Sequence, residues 1–511
     1  MRRLITTDYY IKTLWFTAWQ AALSTLLTMT LALPSAYVFA RYKFTGKSTI
    51  KAICTLPFVL PTVVVANAFM ALLGTNGLLN NILMSTFSLD TAPIQLNHTI
   101  WMILLAHVFY NYSVAFRIIS NFWGILPDNL TQAAQVLGAS PRRAFFEITL
   151  PLLRPAIAAA SMLVFIFCFT SFGVILILGG MQFATLEVEI YRQAVNIFNL
   201  PMAGALSLIQ IIFTFALMWV YTRLQANMTI HLKRQAQSTF QRPVKSRVDK
   251  LLVGGTLTLM FVLLASPLLA LIIRSFTTTQ GIALTYYREL FINRHGSLFF
   301  IPPIEAVYNS TSYALVTVVM AVFLGLICSH MLTNTDSILS RWLDPLFMLP
   351  LATSAVTLGF GFIITMNKPP LSLRSSWILV PIAHTLVGLP FVIRSLLPAM
   401  RSINPKLREA AALLGATPIR IWREIDWPLI QQAVLVGAVF AFTVSMGEFG
   451  ATIFLARPHT PTLPVAIYRF LARPGAMNYG QALAMSTLLM LVCATGFVLI
   501  ERFRVGDEGE F

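Results

Sequence analysis

Three ionisable side chains interrupt long apolar stretches of this 511-residue chain and are the first candidates for chemistry: His107, His384 and Glu448. Charged groups are costly inside a membrane, so such residues either mark a functional pathway or form hydrogen bonds between helices. We expect the second role for the two histidines. Glu448 is a candidate to line a passage for a cationic substrate, and Ser171 occupies the equivalent position of an internal repeat.

No arrangement of residues in the sequence predicts catalysis. There is neither a nucleophile with a neighbouring base nor a paired His and Glu metal motif. The segment TGKST at residues 45–49 is similar to the end of a phosphate-binding loop, but the earlier glycine would fall at Arg41. The four cysteines lie in apolar segments without a CxxC pair, so we expect them to be packing residues. We predict no catalytic residue, no metal site and no cofactor in this chain.

The elements that position these residues must lie in a membrane. Hydrophobic residues make up 57% of the chain and charged residues 11%, and the mean hydropathy is +0.75. A helix needs about 20 mostly apolar residues to cross a bilayer. Eleven such segments predict an all-α polytopic membrane protein. They lie at approximately 13–40, 52–73, 99–119, 156–178, 203–224, 251–273, 308–332, 345–366, 376–397, 432–455 and 480–500.

The net charge of +17 does not indicate a nucleic-acid partner, because the basic residues lie in short loops between apolar spans, where they set membrane orientation. If the C-terminus and alternate loops are cytoplasmic, 24 of the 36 Lys and Arg residues lie inside. We therefore predict a multi-pass inner-membrane protein, surrounded by lipid, with its C-terminus inside. Glu187 and Glu189 then fall in an outside loop with Tyr191, where we expect a solvated face.

The chain contains an internal duplication. Over about 85 residues, from His107 to Arg192 and from His384 to Arg469, residues recur at a constant offset of 277. The matched pairs include polar residues that hydropathy does not dictate, so duplication explains them better than chance. The span at 251–273 has no partner before residue 13. We predict a first half at 1–225 with five spans, a cytoplasmic linker at 226–250, and a second half at 251–511 with six.

A polar segment too short to cross the bilayer lies at matching positions of the two halves. Each has an alanine-rich helix, then Gly138 or Gly415 as a helix C-terminal turn. A second short helix follows, with Ser140 or Thr417 as its cap and proline at its first position. Each segment is therefore predicted to be a cytoplasmic helix-turn-helix.

Both segments resemble the EAA loop of binding-protein-dependent ATP-binding-cassette (ABC) importer permeases, whose pattern is E-A-A, three residues, G, nine residues, I-x-L-P. The spacing is met twice, with Gln132 in place of the glutamate in the first copy and Trp427 in place of the leucine in the second. The matching residues are Gln132-Ala133-Ala134, Gly138, Ile148 and Leu150-Pro151, and then Glu409-Ala410-Ala411, Gly415, Ile425 and Trp427-Pro428.

The resemblance implies the type I importer permease fold, MetI-like, and a role as a transport permease rather than an enzyme. The second short helix, at about 139–147 and 416–424, would be a coupling helix that docks on a separate ATPase. Two copies of that ATPase, which bind ATP and Mg, and a substrate-binding protein would be the partners. Because Gln132 departs from the pattern, we expect coupling through the two loops to be unequal. The coupling residues beyond the E-A-A and glycine positions are Arg142, Arg143, Glu147, Pro151, Arg420, Arg423, Glu424 and Pro428.

An ion-coupled secondary transporter is the alternative from another class. Such carriers are also built from repeats, but they usually place carboxylates near mid-membrane in both halves, and here only Glu448 lies deep. Among the permeases of this resemblance that carry two fused halves, those for thiamine and for ferric iron are the candidates. The segments FCFTSFGVILILGG and VSMGEFGATIFLA are more similar to the thiamine type. Thiamine is therefore the expected substrate, and ferric iron or another small ion the alternative.

Overall fold

The structure is a computed structural model of the chain. The structure describes residues 8–126, 129–180, 182–226, 241–278, 281–292, 302–333, 343, 347, 350, 353–367, 369 and 372–504. Most of the predicted linker and the beginning of the predicted span at 345–366 lie outside these residues. The described part is mainly helical, with two pairs of two-residue strands.

The part of the chain up to the linker contains twelve α-helices in the described residues. They are α1 (Asp8–Arg41), α2 (Lys47–Ile53), α3 (Leu56–Val59), α4 (Thr62–Leu73), α5 (Leu78–Phe87), α6 (Ile100–Ile125), α7 (Asn129–Val136), α8 (Pro141–Ala144), α9 (Leu150–Phe169), α10 (Gly173–Leu178), α11 (Leu186–Tyr191) and α12 (Leu200–Ala226). Two π-helical turns, Phe145–Thr149 and Arg192–Asn196, follow α8 and α11 directly.

The part after the linker contains twelve more in the described residues. They are α13 (Arg247–Met260), α14 (Ser266–Phe276), α15 (Thr285–Arg288), α16 (Pro303–Thr333), α17 (Ala355–Thr365), α18 (Leu379–Ser402), α19 (Pro405–Leu413), α20 (Pro418–Ile421), α21 (Trp427–Gly447), α22 (Thr452–Leu455), α23 (Leu463–Leu471) and α24 (Ala476–Arg504). Two more π turns, Phe261–Ala265 and Trp422–Asp426, join α13 to α14 and α20 to α21. Two short 3₁₀ turns are Glu289–Phe291 and Leu373–Ser375.

Ten helical segments in the described residues are long and apolar enough to cross a membrane. They account for ten of the eleven predicted spans, and the eleventh is represented by the short apolar helix α17. The all-α polytopic fold class is therefore confirmed. Pro57 lies in α3 and Pro61 in the break before α4, so the second predicted span begins as two helices rather than one.

Two compact units divide the chain. The first comprises Met1–Phe58, Ala68–Gln193 and Asn199–Leu271, and the second Val59–Asn67, Ala194–Phe198 and Ile272–Phe511. The linker does not separate the two units cleanly. Helix α13 follows the linker but packs against α1 in the first unit, whereas Val59–Asn67 precede the linker but belong to the second unit. The boundaries of the two halves, which we predicted from the sequence repeat, stay a prediction.

In the first unit, α1 and α9 pack on α6, and α12 packs on α9 and α11. In the second unit, α16 and α21 pack on α18, and α24 packs on α21 and α23. Small residues let these helices approach closely: a Cβ at Gly325 of α16 would lie 2.6 Å from Cγ1 of Val392 in α18. Close backbone approach is how membrane helices gain packing energy in the absence of a hydrophobic driving force. The four cysteines are free and buried, as expected for packing residues.

A hydrogen bond of the same kind occurs within each unit and shows how their first helices correspond. The Leu186 N–H donates to Oγ1 of Thr17 at 3.0 Å, and the Leu463 N–H donates to Oγ of Ser310 at 2.6 Å. Leu186 and Leu463 obey the offset of 277, whereas Thr17 and Ser310 are offset by 293. The first half therefore carries 16 additional residues between its first helix and the aligned region, a stretch that includes α5.

The end of the linker is attached to the loop after α1. Strand β1 (Tyr42–Lys43) pairs in parallel with β2 (Arg242–Pro243). The Arg242 guanidinium lies 4.6 Å from the centroid of the Tyr42 ring, and the Tyr42 hydroxyl donates to Oδ1 of Asp249 at 2.8 Å. Burial, and then the hydrogen bond to Asp249, raise the pKa of Tyr42 to about 12. These contacts hold the start of α13 against the end of α1 within the first unit. The other strand pair, β3 (Thr277–Thr278) with β4 (Gly281–Ile282), is a small antiparallel hairpin.

Candidate functional site

The two loops of the repeat fold in the same way. Helix α7 ends in a turn where Gly138 has φ 90°, and α19 ends in a turn where Gly415 has φ 82°. The Ala139 N–H donates to the Ala134 carbonyl at 2.9 Å, and the Ala416 N–H to the Ala411 carbonyl at 3.0 Å. These are the six-to-one bonds of a Schellman turn, which needs a left-handed residue and therefore favours glycine. The second alanine and the glycine of the motif therefore have a fixed spacing because both belong to the same helix-ending turn.

The second short helix of each loop is capped as predicted. Oγ of Ser140 accepts from the Arg143 N–H at 3.3 Å, and Oγ1 of Thr417 accepts from the Arg420 N–H at 3.4 Å. Proline occupies the first helical turn in both. One turn further on, Nε of Arg143 contacts Oε1 of Glu147 at 2.9 Å. The equivalent pair, Arg420 with Glu424, is separated by 3.1 Å.

Each short helix continues without a break into a membrane helix. The π turn Phe145–Thr149 connects α8 to α9, and Trp422–Asp426 connects α20 to α21. Pro151 and Pro428 lie in the first turn of the α-helix that follows. A proline inside a helix has no N–H to donate and its ring presses on the carbonyl four residues earlier, and that carbonyl lies within the π turn in both copies. The wider π turn accommodates the proline, so the loop and the membrane helix form one continuous rod.

The rods begin at 141 and 418, well before the apolar spans predicted at 156–178 and 432–455. The spans were placed by apolar composition, and the polar first turns of each rod carry no such signal. The π turns themselves have no recognised sequence signature.

The loop residues singled out in the sequence are mostly exposed. This holds for Gln132, Ala133, Gly138, Arg142, Arg143 and Glu147, and for Glu409, Ala410, Gly415, Arg420, Arg423, Glu424 and Pro428, whereas Ala134, Pro151 and Ala411 are half-buried. Large aliphatic side chains stand exposed beside them at the turn. Val136 and Leu137 are 87% and 88% exposed, and Leu413 and Leu414 are 89% and 88% exposed. Paired apolar residues at the tip of a polar loop indicate a surface that a partner covers.

The two loops differ in one ion pair. Nε of Arg408 in α19 contacts Oδ1 of Asp426 in the π turn at 2.7 Å, and the Asp426 side chain is largely buried. The equivalent positions in the first loop are Thr131 and Thr149, which cannot form an ion pair. The second loop therefore has a brace between its first helix and its rod that the first loop lacks. This difference was not predicted from the sequence.

Glu448 lies in a buried polar cluster at the end of α21. Its carboxylate accepts from the Ala451 N–H at 2.8 Å, the Thr452 N–H at 2.9 Å and the Thr452 hydroxyl, and lies 3.5 Å from Nε2 of His384. His384 in turn shares hydrogen bonds with Ser445 and Thr452, each at 2.7 Å. Glu448 is only 7% exposed. The carboxylate thus holds the start of α22, and its role in a substrate pathway stays a prediction.

The first unit contains a simpler version of this cluster. Nδ1 of His107 is 3.0 Å from Oγ of Ser24, and Nε2 is 2.9 Å from Oγ of Ser171. Ser171 therefore contacts the histidine where Glu448 does so in the second unit. The expectation that both histidines form hydrogen bonds between helices is confirmed. Ser171, like Glu448, stays a prediction as a pathway residue.

The expectation of a solvated face at Glu187 and Glu189 is wrong. Both residues lie in α11 and are 0% and 2% exposed. Oε1 of Glu187 accepts from Gln210 of α12 at 2.9 Å, while Glu189 accepts from the Tyr9 hydroxyl at 2.9 Å and from Gln193 at 2.8 Å. The carboxylates are buried because α11 packs between α1 and α12, a tertiary arrangement that loop position in the sequence does not disclose.

Among the residues that the structure describes, no group of three or more His, Cys, Asp and Glu side chains could hold a metal ion. The arrangement as a whole offers two exposed loops, each continuous with a membrane helix. It also offers buried polar clusters that connect helices within each unit.

Known proteins resemble this chain over nearly its whole length. It matches the family described as "Binding-protein-dependent transport system inner membrane component" over residues 21–230 and 321–504. The "Thiamine transport system permease protein ThiP" of Brucella suis is 25% identical over 97% of this chain and 88% of its own length. The protein of that name from Escherichia coli is 26% identical, over 95% and 88%. The "Probable ABC transporter permease protein y4fN" of Sinorhizobium fredii is 23% identical, over 97% and 88%.

The two matched stretches cover more than half of the chain, and each contains one of the exposed loops. The resemblance read from the two loop motifs is therefore confirmed, including the fused arrangement of two permease halves in one chain. This protein belongs to the family of inner-membrane components of binding-protein-dependent transport systems, and it is a transport permease rather than an enzyme.

Proposed function

We propose that this chain is the permease subunit of an ABC importer that moves thiamine inward. Its energy would come from two copies of a separate ATPase subunit, and a binding protein outside the membrane would deliver the substrate. The duplicated loop geometry carries the proposal: two exposed helix-turn-helix tips with the same turn, cap and π-linked rod. Two equivalent docking elements in one chain suit two copies of one partner.

The ATPase subunits would bind at the tips of the two loops. Each tip offers two exposed aliphatic residues, Val136 and Leu137 or Leu413 and Leu414. Exposed charges surround them, including Arg143 and Arg420. An apolar centre with a charged rim is the usual composition of a protein interface. ATP and Mg would be held by that partner, and this chain would bind neither.

The rods explain how closure of the ATPases would reach the membrane. Helix α8, its π turn and α9 form one continuous helical segment, and so do α20, its π turn and α21. Displacement of a tip therefore moves the membrane helix attached to it. Nucleotide would shift the equilibrium between inward-open and outward-open states through its higher affinity for the closed ATPase pair.

The sidedness of the chain is part of the proposal. The basic loops would be cytoplasmic, together with the C-terminus and both docking loops, because lysine and arginine are enriched on the inner side of membrane proteins. The loops that follow α11 and α23, which are exposed at Phe198 and Gly475, would then face the binding protein. Glu448 and Ser171 are the pathway candidates, and Glu448 would contact a cationic substrate only after its carboxylate leaves the backbone N–H groups that it now accepts from.

The substrate is inferred from relatives. The named thiamine permeases from Brucella suis and Escherichia coli align over at least 95% of this chain, through both halves and the linker. The thiamine thiazolium is a cation, and a buried carboxylate such as Glu448 suits a cation better than it suits an anionic substrate.

Two experiments test the parts separately. The binding protein that delivers substrate to this permease is titrated calorimetrically with thiamine and with chelated ferric iron; binding of iron and not thiamine would contradict the substrate. The permease is also coexpressed with its ATPase, with Leu137→Asp/Leu414→Asp, which alters both loops, as the docking variant and Leu429→Asp, an exposed residue on α21, as the control. Loss of copurification in the docking variant alone is expected, and retention of the ATPase by the docking variant would contradict the docking surface.

A further inference from the structure

An apolar cavity of about 620 Å³ lies within the first unit, apart from the docking loops and the polar clusters. One wall is formed by α2, α3 and the connection between them, with Ile50 and Cys54 among the lining residues. The opposite wall is formed by α13, its π turn and α14, with Leu257, Phe261 and Ala265 among them. Every lining side chain but one threonine is apolar, so the cavity suits a hydrocarbon chain better than a polar solute.

The helix that forms the first wall of the cavity also carries two lysines. Lys47, Ile50, Lys51 and Cys54 follow the i, i+3, i+4, i+7 pattern and therefore share one face of the helical segment. The amine of Lys47 donates to the Tyr42 carbonyl at 2.8 Å, which directs it toward the start of the helix. The same face is thus cationic at one end and apolar at the other.

The second wall is likewise cationic at one end and apolar at the other. Lys250 lies seven residues before Leu257 in α13, so the two residues share a face, and Lys250 is exposed. The surrounding segments are strongly basic: residues 41–51 and 241–250, all described, contain eight Lys and Arg residues and a single acidic residue, Asp249. The contacts of Arg242 with Tyr42 keep these two segments together.

We propose that this cavity binds one anionic phospholipid, with an acyl chain between α2 and the α13–α14 rod and the phosphate beside Lys47 and Lys250. The amine of Lys51 donates to Oδ1 of Asn121 at 2.6 Å and would contribute its positive charge rather than a direct contact. An anionic phospholipid matches both parts, because it joins a hydrocarbon chain to a negatively charged phosphate. Basic pockets between membrane helices are known binding places for such headgroups. The crowding of the lysines supports the assignment: burial and the charge of Lys51 lower the pKa of Lys47 to about 8, a cost that a phosphate would relieve.

The bound lipid would stabilise the packing of α13 within the first unit at a second place along the helix. The strand pair and the Arg242 contacts attach the start of α13, and the lipid would fill the space beside its π turn. It would therefore act as a structural lipid of the joint between the linker and the first unit, independently of which substrate the importer carries.

The test uses the full chain, purified in detergent, delipidated and titrated with phosphatidylglycerol or phosphatidylcholine while native mass spectrometry counts bound lipid. We expect one phosphatidylglycerol retained per chain and weaker retention of phosphatidylcholine. The variant Lys47→Gln/Lys250→Gln should lose about 30-fold in phosphatidylglycerol affinity, the contribution of two juxtamembrane cations. Ala265→Trp, which fills the cavity, should lower the affinity for both lipids.

The matched control is Lys12→Gln/Lys406→Gln, which removes the same charge at exposed positions that do not line the cavity. Equal loss in the control and the test variant would mean nonspecific attraction and would overturn the site. Equal retention of both lipids by the unaltered chain would overturn the choice of an anionic headgroup. Inorganic phosphate at the same concentration should leave the bound lipid in place, because it lacks the acyl chain. Circular dichroism and thermal unfolding of each variant show that it is folded before it is compared.

Discussion

The glycine turns of the two exposed loops give a quantitative test of how the loops are built. Gly415 has φ 82°, and a Cβ placed there would meet nothing within 4 Å. The same holds for Gly138 at φ 90°. A substitution to alanine at either position therefore causes no steric clash, and its whole effect comes from the left-handed backbone.

The magnitude follows from that conformation. A non-glycine residue pays roughly 1–2 kcal/mol to adopt the left-handed region, and asparagine pays less than alanine. Gly415→Ala should therefore raise the population of opened turns about 5- to 30-fold. Gly415→Asn should fall between alanine and glycine. Gly254→Ala is the control, because Gly254 lies in an exposed helical position that is also free of contacts within 4 Å, and there alanine favours the helix.

Hydrogen exchange measures the turn directly, at the Ala416 N–H that donates to the Ala411 carbonyl. The affinity for the ATPase, measured by titration of the detergent-solubilised permease, should fall by a similar factor if the turn must be closed in the complex. Exchange at Ala416 that is unchanged in Gly415→Ala would refute the argument from positive φ. Faster exchange with unchanged ATPase affinity would refute the docking role of the turn while leaving the backbone argument intact.

Three further predictions concern single contacts. Asp426→Asn removes the ion pair with Arg408 and should destabilise the second loop by about 1 kcal/mol. Amide hydrogen exchange should become about fivefold faster in the second loop and stay unchanged in the first. Glu448→Gln leaves buried N–H groups with a weaker acceptor and should cost about 1–3 kcal/mol, so thermal denaturation should show a lower midpoint; an unchanged midpoint would contradict the helix-holding role. Because the pKa of Lys47 is lowered to about 8, its acylation rate should rise steeply between pH 7 and 9, and a midpoint near the ordinary lysine value would contradict the buried setting.

The two halves of the chain are similar in plan and different in polar detail. Glu448 faces His384 where Ser171 faces His107, and the acidic residues of α11 have no acidic counterparts in α23. The Arg408–Asp426 brace exists only in the second loop. We therefore predict unequal responses at the two loops, because of this brace as well as the Gln132 substitution.

Some of the site could be predicted from the sequence because it depends on local rules. The turn at Gly138, the cap at Ser140 and the proline after it are set by the backbone preferences of single residues, so their spacing identified both loops. The histidines were also predictable as bonded between helices, because a buried polar ring must find partners. The offset of 277 held wherever the two copies lack insertions.

Other features depended on contacts between segments distant in the chain. The burial of Glu189 results from Tyr9 reaching it across 180 residues, and no local pattern encodes that contact. The 16-residue shift between Thr17 and Ser310 became visible only when both were seen to accept the same backbone hydrogen bond.

The sequence by itself determined that this protein is a duplicated, all-helical membrane permease, because hydropathy, charge placement and turn residues act locally and can be read in order. Only the tertiary structure decided that the loops continue through π turns into the membrane helices, that α13 packs with the first unit, and that Glu448 is occupied by backbone N–H groups. These features depend on which faces of the helices meet. That is fixed by packing and by the need to satisfy every polar group in lipid, rather than by the order of residues along any one helix.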